Sequence, residues 1–183
     1  MAVKTFAAGE ILTASDTNTY LNNGGLVYVK SQTVGTTVSS VTVSSAFSTT
    51  YDAYQVIWSG GGQNADTSIN LVLGSTVTGY YGNYTYATYS STAVASLADN
   101  NGTKFQVVGG GDQFSGSSCM FILNNPFLAK QTYVTAPGAA FSTSNGTYNG
   151  RLANTTSYTA FTIAPTSGTM TGGTIVVYGF RKA

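Results

Sequence analysis

Tyr54-Gln55-Val56-Ile57-Trp58-Ser59 is the stretch that decides the fold class. Successive side chains of an extended chain point to opposite sides. Tyr54, Val56 and Trp58 therefore share one face, and Gln55, Ile57 and Ser59 share the other. The same period of two begins at Leu26-Val27-Tyr28-Val29-Lys30 and continues through the Val- and Thr-rich run from Thr33 to Ser44. Beyond Trp58, strands are predicted at Ser68 to Leu73, Gly79 to Tyr89, Thr103 to Val108 and Ser117 to Asn124. Three more follow at Gln131 to Ala136, Tyr158 to Ala164 and Gly173 to Arg181.

Turns are expected between them at Gly60-Gly61-Gly62, Asp99-Asn100-Asn101-Gly102, Gly109-Gly110-Gly111-Asp112 and Ser144-Asn145-Gly146. About ten short strands at this spacing indicate an all-β sandwich or barrel rather than an α/β fold. A core assembled from two sheets would contain Trp58, Phe121, Leu123, Phe161, Ile163, Ile175 and Val177. No repeat of 20 to 50 residues is visible, which argues against a propeller or solenoid.

Composition narrows the function classes. Of 183 residues, 42% are apolar, and only 7% are charged, against roughly 25% in an average soluble protein. The polar surface must consist of Ser, Thr, Asn, Gln and Tyr. Seven basic and six acidic residues leave a net charge of +1, too little for the clustered cations that nucleic acid requires. So small a charge also offers little self-repulsion, which favours association. The lone Cys119, inside Ser117 to Leu123, reads as a small core residue rather than a reactive thiol. Met1 to Asn23 holds no apolar stretch of the kind a secretion signal needs. No apolar run approaches the roughly 20 residues that cross a bilayer, so membrane insertion is not expected.

The opening of the chain differs from the rest. Thr13 to Gly24 reads as a short helix, with Thr13 as N-cap and Asn23-Gly24-Gly25 as its stop. A helix so short must dock on something to persist. The run Lys4-Thr5-Phe6-Ala7-Ala8-Gly9-Glu10-Ile11-Leu12-Thr13-Ala14-Ser15-Asp16-Thr17-Asn18-Thr19-Tyr20-Leu21 resembles the start of many tailed-bacteriophage minor tail and virion surface proteins. The ending Gly172-Gly173-Thr174-Ile175-Val176-Val177-Tyr178-Gly179-Phe180-Arg181-Lys182 resembles the closing strand of the same set. The resemblance implies a homotrimer whose N-terminal segment attaches to the particle and whose β-sandwich points outward.

Signals for catalysis are weak. The chain has no histidine, which removes Ser-His-Asp and Cys-His chemistry and the commonest zinc ligand. No P-loop run occurs, and Gly109-Gly110-Gly111 has no following helix to cradle a phosphate. Two carboxylates would suffice for a glycosidase. Glu10 and Asp16, however, lie in the opening segment, and Asp52, Asp66, Asp99 and Asp112 fall in expected turns. Asp99, Asn100 and Asn101 lack EF-hand spacing and read as a turn. Glycan binding without cleavage is more credible, because Tyr80, Tyr81, Tyr84, Tyr86 and Tyr89 crowd one region beside Asn83. The competing reading packs alternate tyrosines into the sandwich or a subunit interface.

The expectation is therefore a non-enzymatic virion structural protein, made in the host cytoplasm and using no cofactor or metal. Residues 1–30 form an attachment arm acting through Phe6, Ile11, Leu12, Tyr20 and Leu21. Residues 31–183 form a jelly-roll-like antiparallel β-sandwich. Its partners would be further copies in a trimer and other capsid or tail proteins. The alternative is a receptor-binding tail fibre tip touching host surface glycan through Tyr80, Tyr81, Asn83 and Tyr84.

Overall fold

The computed structural model describes residues 7–11, 13, 15, 25–112 and 116–182. Twelve strands form among them: β1 (Leu26–Thr33), β2 (Val41–Val43), β3 (Ala53–Gln63), β4 (Thr67–Leu73), β5 (Tyr80–Thr88) and β6 (Val94–Gly102). They continue as β7 (Phe105–Asp112), β8 (Gly116–Asn124), β9 (Thr132–Ala140), β10 (Ser144–Leu152), β11 (Phe161–Pro165) and β12 (Met170–Phe180). Every pairing is antiparallel.

The pairing order resolves into a jelly roll with an extension. The strands form one continuous sheet folded into two layers, β1-β12-β3-β8 and, facing it, β2-β11-β4-β7, hydrogen-bonded to each other through β7 and β8. Along the chain, β1 to β4 alternate between the two layers, and β7, β8, β11 and β12 do likewise, the double Greek-key arrangement of this architecture. β5 and β6 are inserted between β4 and β7, and β9 and β10 between β8 and β11. The four inserted strands pair as β9-β10-β5-β6 and join the roll at β8. β8 pairs with β7 through Gly116 to Cys119 and with β9 through Ile122 to Asn124, so its two halves feed different strands.

The alternation in β3 places Tyr54, Val56 and Trp58 inside, with Phe121 and Leu123 of β8 and Ile175 and Val177 of β12. Ile69, Leu71 and Leu73 of β4 and Phe161 and Ile163 of β11 are buried with them. Phe161 stacks on Phe47 at 5.6 Å and meets Phe121 edge-on at 6.0 Å. All seven side chains expected in the core are buried. Cys119 is buried too, its thiol directed at the Val108 carbonyl at 3.7 Å.

Four glycine- or asparagine-rich clusters expected as turns are strand instead. β3 runs through Gly60-Gly61-Gly62 to Gln63, opposite Met170 to Gly173 of β12. Gly60, Gly172 and Gly173 have φ of 73°, 69° and 79°, open to glycine at little cost. A Cβ on Gly61 would overlap the Trp58 indole, so the glycine makes room for the ring beneath it. β7 continues through Gly109 to Asp112, pairing Gly109 with Cys119 and Gly111 with Ser117. Asp99 to Gly102 closes β6, and Ser144 to Gly146 opens β10. The run from Thr33 to Ser44 contains the end of β1 and the three residues of β2 rather than one long strand. Pro137 lies inside β9, where it and Gly138 oppose a single residue of β10 in a bulge that tolerates the missing donor.

Leu26 to Lys30, assigned to the arm by the boundary at residue 30, are part of β1 and pair with β12. The helix expected over Thr13 to Gly24 lies outside the described residues except for Thr13 and Ser15.

Candidate functional site

β5 carries the tyrosine cluster, and its alternation splits the cluster in two. Tyr80 and Tyr84 are buried, whereas Tyr81 is half-buried and Asn83 exposed on the opposite face. The Tyr80 hydroxyl accepts from the Leu73 amide at 3.0 Å and donates to the Thr76 carbonyl at 3.2 Å. Its ring meets Phe105 edge-on at 4.8 Å. Tyr81 lies under the Arg151 guanidinium, 5.0 Å from the ring centre, and Asn83 accepts from the Thr85 hydroxyl at 2.8 Å. The four residues proposed for glycan contact therefore do not converge on one site. Tyr80 is a structural residue of the interior.

Asp99 also moves from an expected turn to the interior. It accepts hydrogen bonds from Tyr148 Oη, at 2.7 Å, and from Gln106 Nε2. These two donors answer the cost of a nearly buried carboxylate. Burial, reinforced by the bond to Asp99, pushes the Tyr148 phenol above its ordinary range. Burial likewise raises the Tyr80 and Tyr84 phenols to about 12 and the Cys119 thiol to about 12.

Raised folded-state values mean that stability is complete below the unfolded-state values and erodes as pH climbs toward the folded ones. The urea midpoint should therefore fall progressively between pH 9 and pH 12, with the thiol contributing first and the phenols from pH 10. Cys119→Ala should move the onset toward pH 10. A midpoint constant to pH 12 would contradict the burial of these groups.

The inner face of β5 ends in a groove of about 310 Å³. Its aromatic wall is Tyr84 stacked on Tyr86, with ring centres 5.1 Å apart and planes 9° apart, and Phe141 set edge-on to Tyr84 at 6.2 Å. Leu97 of the edge strand β6, 56% exposed, lines the same groove, and Val107 of β7 lies beneath. Asp66, from the β3–β4 turn, stands at the rim with Ser68, Thr143 and Ser144. Its carboxylate accepts from the Ser142 hydroxyl. Of the expected contact residues only Tyr84 belongs to this groove. Asp66, Leu97 and Phe141 come from distant parts of the chain, and no local motif joins them.

Among the residues assigned to the arm, Ile11 is 82% exposed. It follows a turn in which the Ala7 amide donates to Glu10 Oε2 at 3.1 Å and Gly9 takes a φ of 85°. Phe6, Leu12, Tyr20 and Leu21 lie outside the described residues. Among the described residues no group of three or more His, Cys, Asp or Glu could hold a metal ion, and no helix is long and apolar enough to cross a membrane.

No protein-family model, curated protein or solved structure matches the chain.

Proposed function

We propose that this chain is a non-enzymatic structural protein of a bacteriophage particle, attached through its N-terminal segment and displaying the jelly roll as part of a homo-oligomer. The observation that carries the assembly reading is the outer face of the layer β1-β12-β3-β8. Its paired rows bring together Leu26 with Phe180, Tyr28 with Tyr178, and Val176 with Ile57 and Met120. Ile122 lies beside Gln55, and Tyr133 of β9 extends the patch next to Asn124. Tyr28 is 59% exposed and Tyr133 46%. No Lys, Arg, Asp or Glu occupies an outward position of these four strands.

The solvent side of an antiparallel sheet is ordinarily polar. An outer face that sets Leu26, Tyr28, Ile57, Met120, Val176 and Phe180 among Ser31, Gln55 and Ser59 supports burial against another copy, where Tyr, Phe and Met are enriched and no charge must be stripped of water. The attachment role rests on the resemblance of the opening segment to virion proteins.

Sedimentation equilibrium should give a mass that is a multiple of the chain, three being expected. Tyr28→Glu combined with Met120→Glu should shift it to monomer with unchanged far-UV circular dichroism. A wild-type chain that stays monomeric at high micromolar concentration would sink the assembly reading. Immunogold labelling of the phage particles addresses location, and unlabelled particles would end the virion reading. A second reading, a fibre tip that contacts host glycan, is favoured by the groove beside Tyr84 and Tyr86.

A further inference from the structure

We infer that the groove between Tyr86, Phe141 and Asp66 is a binding site for an uncharged pyranoside. This inference gives the glycan-contact reading a site and does not require that the chain belong to a virion. The groove sits at the lower end of the size range of small-ligand sites, which run from about 300 to 1,000 Å³. At about 310 Å³ it accommodates a ligand of sugar size rather than an extended chain.

Its chemistry selects the ligand class. One side of a pyranose ring presents C–H groups, and Tyr86, Phe141 and Leu97, backed by the buried Tyr84, supply apolar and aromatic surface for it. The other edges present hydroxyls, and the rim supplies a carboxylate and three hydroxyl side chains from Asp66, Ser68, Thr143 and Ser144. A carboxylate oxygen accepts from an O–H donor more strongly than a neutral acceptor does. Among the described residues no Lys or Arg lines the groove, so an anionic sugar or a phosphate would meet Asp66 without compensation.

Segments far apart in the chain build the site. β5 brings the two tyrosines and β6 the leucine. The β9–β10 turn brings Phe141 and Thr143, positioned where the Phe141 amide donates to the Ser144 carbonyl at 2.8 Å. The β3–β4 turn brings Asp66, tied across to Ser142. The aromatic wall and the carboxylate are thus held by the inserted strands and by the roll respectively, and they meet only at this edge.

Saturation-transfer NMR on the intact chain tests the inference, using methyl glycosides of glucose, galactose, mannose and N-acetylglucosamine, with choline and glucuronate as charged controls. Transfer is expected to the ring C–H protons of at least one neutral glycoside. Tyr86→Ala should weaken that binding at least about tenfold, equivalent to about 1.4 kcal/mol. Asp66→Asn, which keeps the shape, should weaken it by a similar factor. Both variants should keep the wild-type circular dichroism. Transfer to none of the four, binding unaffected by both substitutions, or binding of choline alone would each overturn the inference. A monomeric chain that binds a glycoside would sink the assembly reading and keep this one; an oligomer that binds none would do the reverse.

Discussion

Trp58→Ala is expected to lower the unfolding free energy by about 3–5 kcal/mol, the usual range for truncating a large buried aromatic. The indole is 2% exposed and lies between the two layers of the roll. Its Nε1–H donates to the Gly172 carbonyl at 3.1 Å, across the β3–β12 pair. Alanine would leave a cavity and also an acceptor deprived of its partner, and the two costs have the same sign. Domains of this kind are stable by only about 5–15 kcal/mol, so the variant should be near the limit of folding at 37 °C. Urea unfolding followed by circular dichroism measures the loss. A loss below about 1 kcal/mol would mean that the ring is not in the shared core. Trp58→Phe, which refills most of the volume but cannot donate, should lie between alanine and wild type.

The second large effect centres on the contact between β5 and β10. A Cβ on Gly82 would overlap the Tyr148 hydroxyl and the adjacent ring carbon, and Tyr148 supplies all three of the nearest atoms. That ring cannot swing away cheaply, because it is buried, packs against Phe105 at 6.3 Å and donates to Asp99. Gly82→Ala should therefore cost about 1–3 kcal/mol, the range for overpacking a core. Tyr148→Phe should cost about 1.5–3 kcal/mol, because it removes a bond to a charged group and leaves Asp99 with one of its two side-chain donors. Since the clash is with Tyr148, the Gly82→Ala penalty should shrink in a Tyr148→Leu background. A double-mutant cycle measures that coupling. Strict additivity would show that Gly82 is constrained by something other than the tyrosine.

These two sites show where sequence reasoning succeeded and where it stopped. Trp58 was legible because Tyr54, Val56 and Trp58 alternate with smaller or polar neighbours, and a period of two needs no knowledge of partners. Gly82 was not legible. Its need for a bare Cα comes from Tyr148, 66 positions away, which lies diagonally across the ladder from it only because β5 pairs with β10. The same cause hid β10 itself. Gly146 reads as a turn residue, yet a Cβ there would run into the Thr85 carbonyl and the Tyr86 and Tyr84 side chains, and one on Gly150 would run into the Tyr81 carbonyl and the Phe105 ring. The end of β6 is not legible in the sequence, because Asp99, Asn100, Asn101 and Gly102 have low intrinsic strand preference, which the ladder with β5 overrides.

The sequence by itself determined that the chain is all-β, that its main core is built from Trp58, Phe121, Leu123, Phe161, Ile163, Ile175 and Val177, and that Cys119 is part of that interior. These follow from local periodicity and from the free energy of burying large apolar side chains, quantities that belong to each segment. Only the tertiary structure decided the jelly-roll order, the placement of Tyr80 and Tyr84 in the interior, and the meeting of Asp66 with Tyr86 and Phe141 in one groove. Alternation tells which side chains share a face, but not what covers that face. That is set by pairings between strands far apart in the chain, whose energies no single segment contains.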